Sequence, residues 1–359
     1  MAIYDINGNS LNDVYDSAGA ALLDVYDVNG IPLPFIPDIP VDPMTWNMSD
    51  NYKAQVLDVL DTIKTYKQNN PNTLALCQFN DVHTQFSGNE PNFIDYNKGY
   101  KVIDYMMFLG DIVNKSDATQ YQNAVTYMSG ASASKKLVAM GNHEYNAYNS
   151  SYGDPEALYK AVINVDGTYM TNDALIYYHD DPAGVRLIAL DYFHITKNYY
   201  DSGHLLDMAQ LNWLAGALEG AGDKDVIIYA HSMLNPFTGL ESGQTLNSSA
   251  TLQNYQDLID LIVAFKARST YTVTVDNVEY EHDFSGCTGN FIMYTSGHYH
   301  ALGYGDFGFN MFTGPTLYTT YGGSHKGFLF YVINRQTKAI TVYQCSSELN
   351  SYISFSYSY

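Results

Sequence analysis

Gly297-His298-Tyr299-His300 sets two imidazoles two residues apart, and Asp81-Val82-His83 does the same with a carboxylate and an imidazole. In extended backbone, residues i and i+2 point the same way, so each pair offers two donor groups to one place. Gly110-Asp111, Gly141-Asn142-His143-Glu144 and a lone His231 extend the series. Imidazole, carboxylate and amide oxygen recur in it without cysteine. Such a mixed nitrogen and oxygen set suits Mn, Fe, Zn, Ni or Co and not a thiolate-only metal. Taken singly, each piece is also ordinary chemistry: Asp, Asn and Gly form turns, and histidine satisfies hydrogen bonds in many settings.

Position unites the pieces. Each follows a short apolar run: ALCQF before Asp81, YMMFL before Asp111, KKLVAM before Asn142, DVIIYA before His231 and NFIMYTS before His298. Runs of this length read as buried strands, and ligands in α/β sheets gather at the carboxyl ends of strands. Val56, Leu57, Leu60, Ile63 and Tyr66 stand at helical spacing and predict a helix over 51–68. Further helices are expected over 205–218 and 252–268. Strands interleaved with helices, then TLYTTYGG, GFLFYVIN and AITVYQC without helices between them, predict an α/β fold. The expected architecture is a layered sandwich of two mixed sheets flanked by helices.

Composition bounds what the site can serve. At 359 residues and 46% hydrophobic content, the chain can bury a large core. A formal net charge of −21 argues against a nucleic-acid polymer as partner, since that role needs clustered Lys and Arg. A small phosphorylated molecule stays compatible, because bound cations add positive charge that composition omits. Cys77, Cys287 and Cys345 suggest neither a disulfide framework nor a cysteine zinc site. The N-terminus lacks the features of a signal peptide, and no run of about 18 apolar residues predicts a membrane span. A cytoplasmic protein is the default expectation, with association to a virion or cell surface as the other.

Residues 1–33 repeat with a period of 11: Tyr4-Asp5, Tyr15-Asp16 and Tyr26-Asp27 are followed by Gly8, Gly19 and Gly30, then by Leu11, Leu22 and Leu33. Asp-Ile-Asn-Gly and Asp-Val-Asn-Gly are turn formers, which predicts a small N-terminal β-type repeat module of strand-turn-strand units. It would serve attachment or self-assembly, or be a tail. Residues 34–50 read as a proline-rich linker and 51–359 as the main domain.

Taken in order, Asp81-x-His83, Gly110-Asp111, Gly141-Asn142-His143-Glu144, His231 and Gly297-His298-x-His300 resemble the signature of the calcineurin-like metallophosphoesterases, over about residues 73–345. AQLNWLAGAL is similar to a Gln-x-x-Trp-Leu helix common in that family. The resemblance implies a phosphoester hydrolase with two divalent transition metal ions. Asp81, His83 and His300 would hold one, Asn142, His231 and His298 the other, with Asp111 bridging. Two such ions activate a shared water and clamp phosphoryl oxygens. His143 would stabilise transition-state charge or protonate the leaving group. Asn114 stands where many relatives carry an Asp or Asn that orients this histidine. An amide supports an imidazolium less well than a carboxylate, which makes Asp81 a candidate partner for His143. Asn114, Tyr145 and Tyr299 are candidate substrate contacts. His179, His194, His204, His282 and His325 match no motif and are expected to be structural or exposed.

Reaction type is better specified than substrate. The loops 144–184, 193–205 and 232–289 carry Tyr145, Tyr148, Tyr152, Tyr199, Tyr200 and Phe237 with few basic residues. A small phosphodiester or phosphomonoester with a sugar, glycerol or base to stack on is therefore expected, the diester somewhat favoured. The alternative is a phage-like surface-attachment or structural component whose hydrolase domain processes a bound polymer.

Overall fold

The computed structural model describes residues 50–83, 102–129, 135–145, 154–171, 175–195, 204–234, 254–300, 302–315, 327–346 and 349–359, with four two-residue strands nearer the N-terminus. The chain divides into two compact units, Met1–Pro40 and Val41–Tyr359. In the first, β1 (Ile3–Tyr4) pairs antiparallel with β2 (Ser10–Leu11), and β3 (Val25–Tyr26) with β4 (Pro32–Leu33). Ile3 stands opposite Leu11 and Val25 opposite Leu33, so the first and third repeats share one register. The middle repeat and the proline-rich stretch up to residue 49 lie outside the described residues.

The second unit opens with α1 (Asp50–Asn69), which buries Tyr52, Val56, Val59, Leu60 and Ile63. Their spacing is that of one helical stripe. Asp50 in the first turn and Lys67 in the last complement the helix dipole. Three parallel strands follow: β5 (Thr73–Phe79), β6 (Tyr105–Leu109) and β7 (Lys135–Ala139). Nearly every residue in them is buried, the continuous apolar pattern of strands covered on both faces.

Two mixed sheets result. The first is completed by β17 (Gly327–Asn334), β18 (Ala339–Ser346) and β19 (Ile353–Ser358), in the order β19-β18-β17-β5-β6-β7. The second contains β8 (Thr168–Tyr169), β9 (Tyr177–Asp181), β10 (Val185–Ala189), β11 (Asp225–Tyr229), β14 (Phe291–Ser296), β15 (Gly303–Asp306) and β16 (Asn310–Thr313). Its order is β15-β16-β14-β11-β10-β9-β8, with β10, β11, β14 and β16 parallel and the rest antiparallel. Helices α2 (Ala118–Ser129), α3 (Pro155–Lys160), α4 (Met208–Glu219) and α5 (Tyr255–Ala267) accompany the sheets. Leu211 and Leu214 of α4 and Leu258 and Ile262 of α5 join Ile228 and Tyr294 of the second sheet in one apolar cluster. This is the layered α/β sandwich expected. No helix among the described residues is long and apolar enough to cross a membrane.

The expected loop 232–289 contains a further pair of strands. Within 232–289, β12 (Thr270–Val275) and β13 (Val278–Asp283) form a hairpin. Its turn residues Asp276 and Asn277 have φ of 50° and 65°, the left-handed pair that a tight hairpin turn requires. Asp and Asn tolerate that conformation, and the alternating TYTVTV segment supplies the strand.

The ends of the parallel strands remote from the motifs are tied by Arg335, just after β17. Its Nε lies 2.7 Å from Asp225 Oδ2, and its Nη1 donates to the Ala183 carbonyl at 2.7 Å. Asp225 is buried, at the start of β11. Arg335→Ala should therefore lower stability by about 1–3 kcal/mol, because it strips a buried carboxylate of its cationic partner. Denaturant unfolding measures the loss, and metal uptake at the other end of the strands should be unchanged.

Candidate metal centre

Five loops leave the carboxyl ends of β5, β6, β7, β11 and β14 and converge. They are tightly bent: Asp81, His83, Asp111, His298 and His300 all have φ between 43° and 72°. Non-glycine residues rarely adopt this left-handed region, and such strain concentrates where side chains must be aimed. The loops hold one another in place. Asp81 N donates to Gly110 O at 3.1 Å, His83 N to Asp111 O at 2.9 Å, and Gly297 N to His231 O at 2.9 Å. Gly110 has φ +78°, and a Cβ there would lie 2.6 Å from Gly141 N and 2.7 Å from His231 Nδ1, so only glycine fits.

The convergent groups form two donor sets. In one, His300 Nε2 lies 2.9 Å from His83 Nε2 and 3.2 Å from Asp81 Oδ1. In the other, His231 Nε2 lies 3.1 Å from Asn142 Oδ1, 3.1 Å from His298 Nδ1 and 3.2 Å from Asp111 Oδ2. Asp111 Oδ2 is also 3.7 Å from His83 Nε2, which places one oxygen between the two sets. The opposite nitrogen of His231, Nδ1, faces the Leu109 carbonyl at 2.7 Å and must donate to it. Nε2 is thus the free face of that ring, the usual arrangement for a metal-ligating histidine. A single proton on Nε2 could serve one of its three neighbours, whereas a cation among them serves all. The donor chemistry fits two divalent metal ions.

Electrostatics agree. Burial opposes ionisation of Asp81 and Asp111, but the surrounding histidines outweigh it and hold both carboxyls below the ordinary range. Burial lowers His83 to about 4 and takes His298 well down, so both rings are neutral and ready to ligate. His231 is also penalised by burial, yet Asp111 and Asp81 raise it to about 10. Without cations, that ring holds a proton in their place.

Glu144 is the organising group that motif reading left without a role. Fully buried, it accepts hydrogen bonds from the backbone of Gly141 (2.8 Å), Asp111 (2.8 Å), Ile112 (2.9 Å) and Val113 (3.3 Å). One carboxylate thus locks the second-motif loop to the third. Its place after His143 in the third motif was the available signal. Gln210 of the Gln-x-x-Trp-Leu helix is likewise structural: it accepts from Asp191 N at 3.0 Å and donates to Asp191 O at 2.8 Å.

Asp81, His83, Asp111, Asn142, His143, His231, His298 and His300 all come together. His143 Nδ1 lies 2.9 Å from the backbone carbonyl of Asn114, and its Nε2 lies 3.9 Å from Asp111 Oδ2. One contact differs from expectation: His143 meets Asn114 at the backbone carbonyl. Asp81 turns Oδ1 to His300 and accepts from His298 N on Oδ2 at 2.8 Å. Tyr145 is also corrected: it is buried, with its hydroxyl 2.8 Å from Glu156 Oε1, and belongs to the core. Tyr299 packs against the apolar cluster of the second sheet. His204, expected to be structural, sits edge-on to His298 with ring centroids 4.6 Å apart and bonds Ser232 Oγ. The loop aromatics Tyr148, Tyr152, Tyr199, Tyr200 and Phe237, and His325, lie outside the described residues.

Fold and donor set together define a binuclear metal-dependent hydrolase of phosphoesters. A model of the calcineurin-like phosphoesterase family matches residues 74–264, and the chain belongs to that family. No curated protein matches the sequence. Among solved structures, a dimetal phosphatase from Danio rerio is similar over 79% of this chain and 99% of its own, with 12% identity and a TM-score of 0.52. Vps29 from Entamoeba histolytica (12% identity) and Vacuolar Protein Sorting 29 from Cryptosporidium parvum (8%) each cover 80% of this chain and 99% of their own, both with a TM-score of 0.34. At these identities the first likeness concerns the fold alone.

Two outcomes follow from the geometry. Metal uptake by the metal-free protein at pH 7 should release protons, because His231, raised to about 10, is protonated there and must lose its Nε2 proton to ligate. Affinity should accordingly rise with pH up to about 10; titration calorimetry in buffers of different ionisation enthalpy counts the protons. Glu144→Ala leaves several buried N–H groups without their acceptor, at about 1–3 kcal/mol each, and should cost the metal-free protein at least about 3 kcal/mol in chemical denaturation.

Proposed function

We propose that this chain hydrolyses a small phosphoester, diesters ahead of monoesters, at a site in which Asp81, His83 and His300 ligate one cation and Asn142, His231 and His298 the other, with Asp111 shared. The single observation that carries the reading is His231 Nε2, which faces an amide oxygen, a carboxylate oxygen and a second imidazole within 3.2 Å. When bound, the two ions supply an acidified water and positive charge for the phosphoryl oxygens.

The chain's residues do the rest. Asp111 anchors Oδ1 on His143 N at 2.8 Å, and Asp81 anchors Oδ2 on His298 N, so each carboxylate turns its other oxygen inward at no further cost in side-chain freedom. His143 keeps its Nδ1 proton on the Asn114 carbonyl, which orients the ring and leaves Nε2 to act on substrate. As water oxygen bonds phosphorus, its proton passing to solvent, the ester P–O bond breaks and the departing oxygen takes the electron pair and the Nε2 proton of a doubly protonated His143, which solvent then restores. The acidic composition, −21 overall, supports a compact substrate over a polyanion.

A second reading concerns residues 1–33. The shared register of the hairpins β1-β2 and β3-β4 supports a repeat module, and attaching the enzyme to a surface or another copy would be its role. Removing residues 1–44 should then change oligomeric state or surface binding without changing turnover; no change in either would dispose of it.

For the hydrolase itself, bis(p-nitrophenyl) phosphate should turn over faster than p-nitrophenyl phosphate. Asp111→Asn should lower both metal content and kcat, whereas His143→Ala should keep the metals and lose about 10²–10⁴ in kcat. Unaltered metal content and turnover in Asp111→Asn would refute the shared-carboxylate assignment.

A further inference from the structure

Beneath Asp81 runs a buried polar chain that the motif residues do not explain. Tyr331 of β17 and Thr295 of β14 both donate to Gln78 Oε1, at 2.8 and 2.5 Å. Gln78 Nε2 in turn donates to the Ser296 carbonyl at 2.7 Å and to Asn80 Oδ1 at 2.9 Å. Asn80 Nδ2 ends the chain on Asp81 Oδ2 at 2.6 Å and also contacts the carbonyls of Gly314 (3.2 Å) and Pro315 (3.1 Å). Because β5 and β17 belong to the first sheet and β14 to the second, the chain crosses the sandwich. Gln78, Asn80, Thr295 and Tyr331 are all buried.

The amide of Asn80 has one consistent orientation. Carbonyls of Gly314 and Pro315 only accept, so the NH₂ group must face them and Asp81, and the oxygen must face Gln78. The fit is close: a Cβ on Gly314 would lie 2.3 Å from Asn80 Oδ1 and 2.5 Å from Gln78 Nε2. Asp81 Oδ2 therefore receives two donors, Asn80 Nδ2 and His298 N, and Oδ1 is turned to His300 at 3.2 Å and His83 at 3.8 Å. His231 in the other donor set is oriented by a different partner, the Leu109 carbonyl.

We infer that Asn80 is a positioning residue chiefly for one cation: by fixing Asp81, it sets the affinity of the Asp81, His83 and His300 site, and it reaches the Asn142, His231 and His298 site only through the contact of Asp81 with His298 N and its 3.9 Å approach to His231 Nε2. The inference rests on the two-cation reading above and deepens it. Hydrogen bonds of this outer kind are worth about 10- to 100-fold in metal affinity. Leucine at position 80 has the shape of asparagine without its donor, and serine keeps a shorter donor.

Metal-free full-length protein, wild type, Asn80→Leu and Asn80→Ser, is titrated with Mn²⁺ by calorimetry, and thermal unfolding of each metal-free form is recorded. Wild type should bind two ions per chain. Asn80→Leu should weaken one of them about 10- to 100-fold and the other distinctly less, and Asn80→Ser should weaken the same one by less than leucine does. If the leucine variant does not fold, the serine variant carries the test, and selective weakening of one ion is still required. Equal weakening of both, in step with a lower unfolding temperature, or no weakening at all, would overturn the inference. Two ions bound by a wild type that hydrolyses no phosphoester would count against the hydrolase reading instead, and leaves the Asn80 comparison intact.

Discussion

The centre is organised around a buried carboxylate that must stay charged. Asp111 is almost fully enclosed, and burial alone would neutralise it. Among the histidines around it, His231, raised to about 10 and so cationic without metal, does most to keep it ionised. Yet these cationic or hydrogen-bonding groups crowd one another: His83 Nε2 and His300 Nε2 stand 2.9 Å apart, and His231 Nε2 stands 3.1 Å from His298 Nδ1. An assembly of this kind is stable only if protons or cations occupy the space between the donors. Five residues bent into the left-handed region and a glycine with no room for a side chain show that the backbone has been shaped to hold them there.

That constraint explains why Glu144 sits where it does. The loops after β6 and β7 are sharply bent and expose consecutive N–H groups that no strand partner can satisfy. Glu144 collects four of them. Burial and the nearby Asp111 charge push its carboxyl up, and the same backbone donors pull it down. A second carboxyl so close to Asp111 is tolerable because four backbone N–H groups and the Tyr159 hydroxyl donate to it.

Much of this was legible in the sequence, for identifiable reasons. Buried parallel strands are continuous apolar runs, so Thr73–Phe79 and its successors announce themselves, and ligand-type residues after each run mark a common edge. What could not be read was direction and partnership. Nothing in the types of Asn114 and His143 indicates that a backbone carbonyl meets the ring. Tyr145 follows the third motif directly, but the 3₁₀ turn His143–Tyr145 points it into the core. Asn80 and Gln78 are silent for the same reason: i and i+2 on one strand share a face, but only the packing of the other sheet reveals that the face is polar and closed.

Charge balance connects the site to its surroundings. With both ions bound, their four positive charges exceed those of the three buried carboxylates around them, Asp81, Asp111 and Glu144. The cleft is then locally positive within a chain of net −21. At physiological ionic strength, fields between exposed charges fade over about 8 Å, so the acidic surface does not cancel the cleft at contact range. It does act on anything long enough to reach beyond the cleft. A polyanion would extend over that surface and be repelled, whereas a small phosphoester with one or two charges ends where the positive field ends. The same balance favours a diester over a doubly charged monoester at the surface and reverses at the metals, so net charge alone does not discriminate between the two.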